Sequence, residues 1–147
     1  MYQLKYITVL MLFVCCFVTA QNWHADIKTA SRLASKENKS ILLVFSGSDW
    51  CAPCIKLDKR VWQSDVFKKF SQDKLTLLKA DFPRKKANRL PEKQQELNRM
   101  LAEKYNPKGY FPFILLLDKD GNKISVVEFK SQDAATDVVD RIKLLLN

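Results

Sequence analysis

Cys51 and Cys54 stand three positions apart, with Ala52 and Pro53 between them. Two thiols at this spacing fall one turn apart on a helix. The chemistry they offer is exchange: a thiolate attacks a disulfide sulfur, and a second thiol resolves the mixed disulfide. The attacking thiol must be ionised and reachable. A free thiol, with a pKa near 8.5, is only about 3% thiolate at pH 7. The N-terminal turn of a helix stabilises the anion through its unpaired N–H groups and positive dipole end. A pKa near 7 would make about half of it thiolate. This reading makes Cys51 the nucleophile and Cys54, deeper by one turn, the resolving thiol. Trp50 gives the pair an apolar rim.

The same spacing suits three other roles: half of a zinc site, a two-thiolate copper carrier, or an inert structural staple. Zinc needs two further ligands, and His24 is the sequence's one histidine, far from any partner, which reads as a plain surface or packing residue. A staple across so short a loop gains little chain entropy. No metal or other cofactor is expected.

The flanking elements give the pair its setting. Ile41–Phe45 is a continuous apolar run that reads as a strand buried on both faces. Ser46–Asp49 is turn chemistry. A helix then suits Cys51 to Val61, with Pro53 in its first turn, where a missing N–H costs nothing. Strand, turn, helix is the arrangement that redox chemistry requires.

Around this unit, a helix is predicted over Ala25–Glu37 from Ile27, Ala30, Ser31 and Ala34. Ser64 is placed to cap a helix carrying Val66, Phe67 and Phe70. Leu75–Asp81 reads as a second buried strand. Leu90, Gln94, Leu97, Leu101 and Tyr105 mark an amphipathic helix over 90–105, with Pro91 near its start. Phe113–Leu117 is a third strand, Lys119–Asn122 a hairpin turn, and Lys123–Phe129 a fourth strand. Ser131 is placed to cap a last helix with Ala135, Val138, Val139, Ile142 and Leu146 inward. Helices separate the first strands, which should be parallel; the last two form an antiparallel hairpin. The class is α/β, a sandwich with a mixed sheet.

The 147 residues suit one domain, and 47% hydrophobic with 28% charged is a globular composition. Residues 1–20 differ from the rest. Lys5 is their one charge, Ile7–Val18 is apolar but short for a membrane span, and Val18-Thr19-Ala20 ends on a small residue. This is the layout of a secretory signal peptide cleaved after Ala20, leaving 21–147 as the domain. A retained membrane anchor and a lipoprotein are the alternatives; for the latter, Val14 before Cys15 is a poor fit. Cleavage removes Cys15 and Cys16, so the exported chain keeps one cysteine pair. The expected location is periplasmic or secreted.

The net charge is +9. The positives are spread along the chain, and export argues against nucleic acid as a partner. Arg84-Lys85-Lys86 with Arg89 is the densest cluster. It reads as a solvated loop face ahead of a docking site for an acidic partner or a membrane surface.

Trp50-Cys51-Ala52-Pro53-Cys54 resembles the Trp-Cys-x-Pro-Cys site of the thioredoxin superfamily. Leu43–Cys51 is similar to a bacterial exported branch of it. Gly109-Tyr110-Phe111-Pro112-Phe113 resembles the family's cis-proline loop, and Asp118-Lys119-Asp120-Gly121 also fits. The resemblance covers about Trp23 to Leu146. It implies a thioredoxin-like three-layer sandwich with a mixed central sheet flanked by helices. Cys51 matches the nucleophile, Cys54 the resolving cysteine, and the two form a redox-active disulfide. Pro112 matches the cis-proline, Phe111 the residue whose backbone pairs with substrate, and Trp50 the rim. The alternative for Pro112 is an ordinary strand-start proline.

There are two departures. Many thioredoxins hold a buried Asp before the site, where this chain has Val44 or Phe45. The segment Phe82–Tyr105 is longer than the minimal fold needs. A Pro before the second cysteine resembles reducing members more than oxidising or isomerising ones, which often place His there and stabilise the thiolate. The implied function is protein dithiol–disulfide exchange in the reducing direction. The implied partners are protein thiol and disulfide substrates and an upstream electron donor or acceptor; a membrane enters only if the leader is retained. The alternative is a binding module of the same fold whose cysteines are dispensable.

Overall fold

The computed structural model describes residues 21–147; the expected leader, with Cys15 and Cys16, lies outside them. In chain order the elements are β1 (Trp23–His24), α1 (Ile27–Glu37), β2 (Ser40–Ser46), α2 (Ala52–Leu57), α3 (Asp65–Lys74), β3 (Leu75–Asp81), α4 (Glu92–Tyr105), β4 (Phe113–Leu117), β5 (Lys123–Val126) and α5 (Ala135–Leu146). A π-helical turn over Asp58–Trp62 carries α2 onward, and a short 3₁₀ turn spans Lys86–Asn88.

The strands form one mixed sheet in the order β1-β3-β2-β4-β5. β1 and β2 run parallel to β3, and β4 is antiparallel to both β2 and β5. The central strand β2 has side chains on alternate faces, and both faces are covered. Leu42 and Val44 pack with Leu57, Val61, Trp62, Phe67, Val138 and Ile142. Ile41, Leu43 and Phe45 pack with Ala30, Ala34 and Leu101. Helices α1 and α4 therefore cover one face, and α2, α3 and α5 the other. This is the α/β sandwich with a mixed sheet expected from the element order, in the three layers that the resemblance implies.

Local chemistry sets the ends. The Asp26 carboxylate accepts the N–H groups of Lys28 (3.2 Å) and Thr29 (3.1 Å) and starts α1. Asn38, at φ 51°, ends it in the left-handed region. Ser64 caps α3 through the Phe67 N–H.

Several boundaries differ from expectation. Helix α4 begins at Glu92, because Pro91 disfavours a helical Leu90 before it. Ser131 does not cap α5. Asp133 closes its own turn, accepting the Lys130 N–H at 2.6 Å, which delays the helix; the Asp137 carboxylate then accepts the Ala134 N–H at 2.8 Å. Strand β5 stops at Val126, after a register shift at Leu116–Leu117. The Glu128 carbonyl turns away to Arg141. Val66 faces solvent rather than the core.

Candidate active site

The site starts where β2 ends. The Gly47 carbonyl accepts the N–H groups of Trp50 (3.3 Å) and Cys51 (2.9 Å), closing the turn. The Trp50 indole lies directly on Gly47. A Cβ there would sit 2.3 Å from Trp50 Cε2, so the position admits no side chain. Ser48 fastens the turn to the end of β3, donating its N–H and hydroxyl to the Asp81 carboxylate at 2.9 and 2.6 Å.

Cys51 is the N-cap of α2, and its Sγ accepts the backbone N–H of Cys54 at 3.3 Å. The two sulfurs are joined as a disulfide, with the Cα atoms 5.2 Å apart. Cys51 is 5% exposed and Cys54 3%. The expected contrast in burial is therefore small in this oxidised form, and position in the helical turn is what separates the two thiols.

An aromatic layer connects the pair to the second motif. Trp50 Nε1 donates to the Phe82 carbonyl at 2.7 Å. The Phe111 ring lies 5.4 Å from Trp50 and 5.6 Å from Phe82, edge-on to both. The Phe111–Pro112 peptide bond is cis. Pro112 and Pro53 border one cavity of about 310 Å³, lined further by Val126, Phe129 and Lys130. Asn106, just past α4, holds this loop: its side chain donates to the Tyr110 carbonyl and accepts the Tyr110 N–H, both at 2.9 Å. Gly109, at φ 68°, makes the bend. Phe111 thus meets Trp50, and Pro112 shares a cavity with Pro53, which stands between the two cysteines, so the cis-proline loop lies beside the start of α2.

Val44 and Phe45 are both fully buried among apolar side chains. Among the described residues the one buried carboxylate is Asp133, and Arg141 holds it. An apolar side chain at Phe45 favours folding by about 1.5–3 kcal/mol, whereas an unpaired ionised acid there would cost several kcal/mol. Lys79, opposite Val44 in register, reaches Asp58 at 3.4 Å.

The basic cluster is exposed, as expected, but it is anchored. Asp49 accepts the N–H groups of Arg84 and Lys85, each at 2.9 Å, and Asn88 Nδ2 at 3.0 Å. The Arg84 bond and its neighbours hold the Asp49 carboxyl below its ordinary value. The Arg84 guanidinium lies 3.7 Å from the Trp50 ring centroid. The sequence signals for this anchoring were faint: an acid beside Trp50, and a long insertion beginning at Phe82. Asn98, buried in α4 and donating to the Asp81 carbonyl at 2.7 Å, was hidden in a polar stretch.

The thioredoxin-like family model matches residues 22–119. The chain belongs to the thioredoxin-like family. This thioredoxin-like chain is 34% identical over 113 residues to the disulfide bond reductase DsbH of Chlamydia pneumoniae, covering 77% of the chain and 66% of that relative. It is 29% identical over 102 residues to the thioredoxin-related protein DsbJ of the same organism, covering 69% of the chain and 28% of DsbJ. The chain thus spans just under two-thirds of the first relative's length and about a quarter of the second's. A solved structure titled DsbH oxidoreductase superposes with a TM-score of 0.76 at 31% identity, over 85% of this thioredoxin-like chain and 83% of the other.

Proposed function

We propose that the chain is a protein thiol–disulfide oxidoreductase of the cell envelope, working in the reducing direction. The observation that carries this reading is the Cys54 N–H directed at Cys51 Sγ at the start of α2. A donor at that place stabilises a Cys51 thiolate once the disulfide is opened. The likeness to a disulfide bond reductase supports the direction, as does Pro53 before Cys54.

In the cycle, the Cys51 thiolate attacks one sulfur of a substrate disulfide. A Cys51–substrate disulfide forms and the first substrate thiolate leaves. Cys54 then gives up its proton to water, Val44 and Phe45 standing where a buried acid could take it, and attacks Cys51 Sγ. The Cys51–Cys54 disulfide forms, the second substrate thiolate leaves, and both substrate thiolates take up protons. Two electrons have passed from the dithiol to the substrate. A separate dithiol donor must restore the pair. Trp50, Phe111 and Pro112 form the rim that receives the substrate segment, with the Phe111 backbone as its rail.

Residues 1–20 act in this reading as a signal peptide, and 21–147 as the exported domain. N-terminal sequencing of the exported protein is expected to begin at Gln21; an intact Met1 would overturn the cleavage. The activity is tested by insulin reduction with the reduced protein. Wild type is expected to precipitate the insulin B chain and Cys51→Ser to be inactive. An inactive wild type, or equal activity in Cys51→Ser, would leave the binding-module alternative. The direction is tested by the potential of the couple, expected nearer the thioredoxin value of about −270 mV than the oxidant value of about −120 mV.

A further inference from the structure

We infer that the basic loop at 84–89 is a specificity surface of the exchange site, selecting protein segments with acidic residues beside the disulfide. The inference rests on the oxidoreductase reading and names the substrate class that the site prefers.

Three observations carry it. The loop is fixed to the site rather than merely near it in sequence. Asp49, two residues before Cys51, binds the amides of Arg84 and Lys85 and the side chain of Asn88. The Phe82 carbonyl holds the Trp50 indole. Second, the charges are available. Arg84, Lys85, Lys86 and Arg89 are all exposed. Among the described residues none of the four makes an ion pair, and the Arg84 guanidinium has no hydrogen-bond acceptor, only the Trp50 face. Third, the nearby acids do not cancel them. Asp49 and Asp81, both engaged with the turn and loop amides, and Glu92 at the start of α4 are three carboxylates against four cations.

Arg84 is the link between charge and chemistry. Its guanidinium covers the ring that also meets Phe111 edge-on, so it stands at the margin of the aromatic rim. A planar guanidinium stacked on an aromatic face keeps its N–H fork free at the edges for a carboxylate. A substrate strand lying along Phe111 would bring its flanking side chains to this margin. A basic rim favours capture of acidic segments and disfavours basic ones, and the effect weakens with salt.

The test compares two peptide disulfides, identical except for Glu or Lys on either side of the cysteines. Each exposed charge pair contributes a factor of about 1.5 to 5, so the Glu peptide is expected to be reduced on the order of tenfold faster at low salt. The ratio should fall towards one in about 0.5 M salt and in R84Q/K85Q/K86Q. A cysteine-free version of the Glu peptide, titrated against the Trp fluorescence, measures capture without redox chemistry. Equal rates for the two peptides, or a ratio unchanged in the triple variant, would overturn the inference while leaving the oxidoreductase reading intact. Capture of the cysteine-free Glu peptide, lost in the triple variant, with neither disulfide reduced, would uphold the surface and sink the oxidoreductase reading. Binding to phosphatidylglycerol vesicles but not to the Glu peptide would identify a membrane surface instead, and would also overturn it.

Discussion

The backbone N–H of Cys54 points at Sγ of Cys51 across 3.3 Å. The donor is fixed by the helix, so it costs no reorganisation when the sulfur becomes an anion. The reverse arrangement does not exist: Cys51 contributes its own N–H to the Gly47 carbonyl. The two thiols are therefore chemically unequal once reduced. Alkylation of the reduced protein across pH is expected to give Cys51 a midpoint below the free-thiol value of about 8.5, and Cys54 a higher one. A Cys51 midpoint at or above 8.5 would contradict the assignment.

Gly47 is expected to tolerate no side chain, since Trp50 occupies the space a Cβ would need. In Gly47→Ala the indole must move off the turn and give up its bond to Phe82. Overpacking of this kind costs about 1–3 kcal/mol. Near-UV circular dichroism should lose Trp50 signal, and denaturant unfolding should shift to lower midpoints. An unchanged spectrum and midpoint would show that the indole is not held where we find it.

Asp49 is expected to act through the loop and not on the sulfurs. Asp49→Ala removes the acceptor for two backbone amides, so exchange at the Arg84 and Lys85 N–H groups should quicken by about tenfold or more, with the global unfolding midpoint little changed. The same amides should loosen in wild type at a lower pH than an ordinary aspartate clamp would allow, because the Asp49 carboxyl is held below its ordinary value and stays ionised to lower pH. Unaltered exchange in Asp49→Ala would remove the clamp.

Asp133 and Arg141 tie the turn after β5 to α5. Arg141 Nη2 donates to Asp133 Oδ1 at 2.9 Å, and this bond leads the effects that lower the carboxyl pKa from 3.8 to about 2. The folded value lies below the unfolded one, so the stabilisation is complete above pH 4 and is lost as pH falls through about 2. The linked contribution is on the order of 2 kcal/mol. Unfolding measured between pH 5 and pH 2 should lose that much more stability in wild type than in Asp133→Asn. Parallel curves would contradict it.

The sequence reveals the fold well where burial is continuous. β2 is apolar on both faces and β3 is buried over Leu75–Leu78, and their bounds need little context. Cys51, Cys54 and Pro112 are legible because each residue type carries its own chemistry. What is not legible depends on contacts between distant segments. β1 is two residues long and exists only because β3 offers an edge beside Trp23 and His24. Ser131 is a plausible cap for the start of α5 by residue type, but Asp133 takes the Lys130 N–H and Asp137 the Ala134 N–H, so the helix starts three residues later. Asp49 and Arg84 each look like surface charges. Their positions follow from a loop that folds back over Trp50, which no local pattern announces.

The central claim is that Cys51 is the attacking sulfur. Reduced Cys54→Ser protein, given a peptide disulfide, is expected to accumulate a mixed disulfide that peptide mass mapping assigns to Cys51, while Cys51→Ser accumulates little or none. Equal trapping on Cys54 in the Cys51→Ser variant, or no covalent adduct in either, would contradict the account.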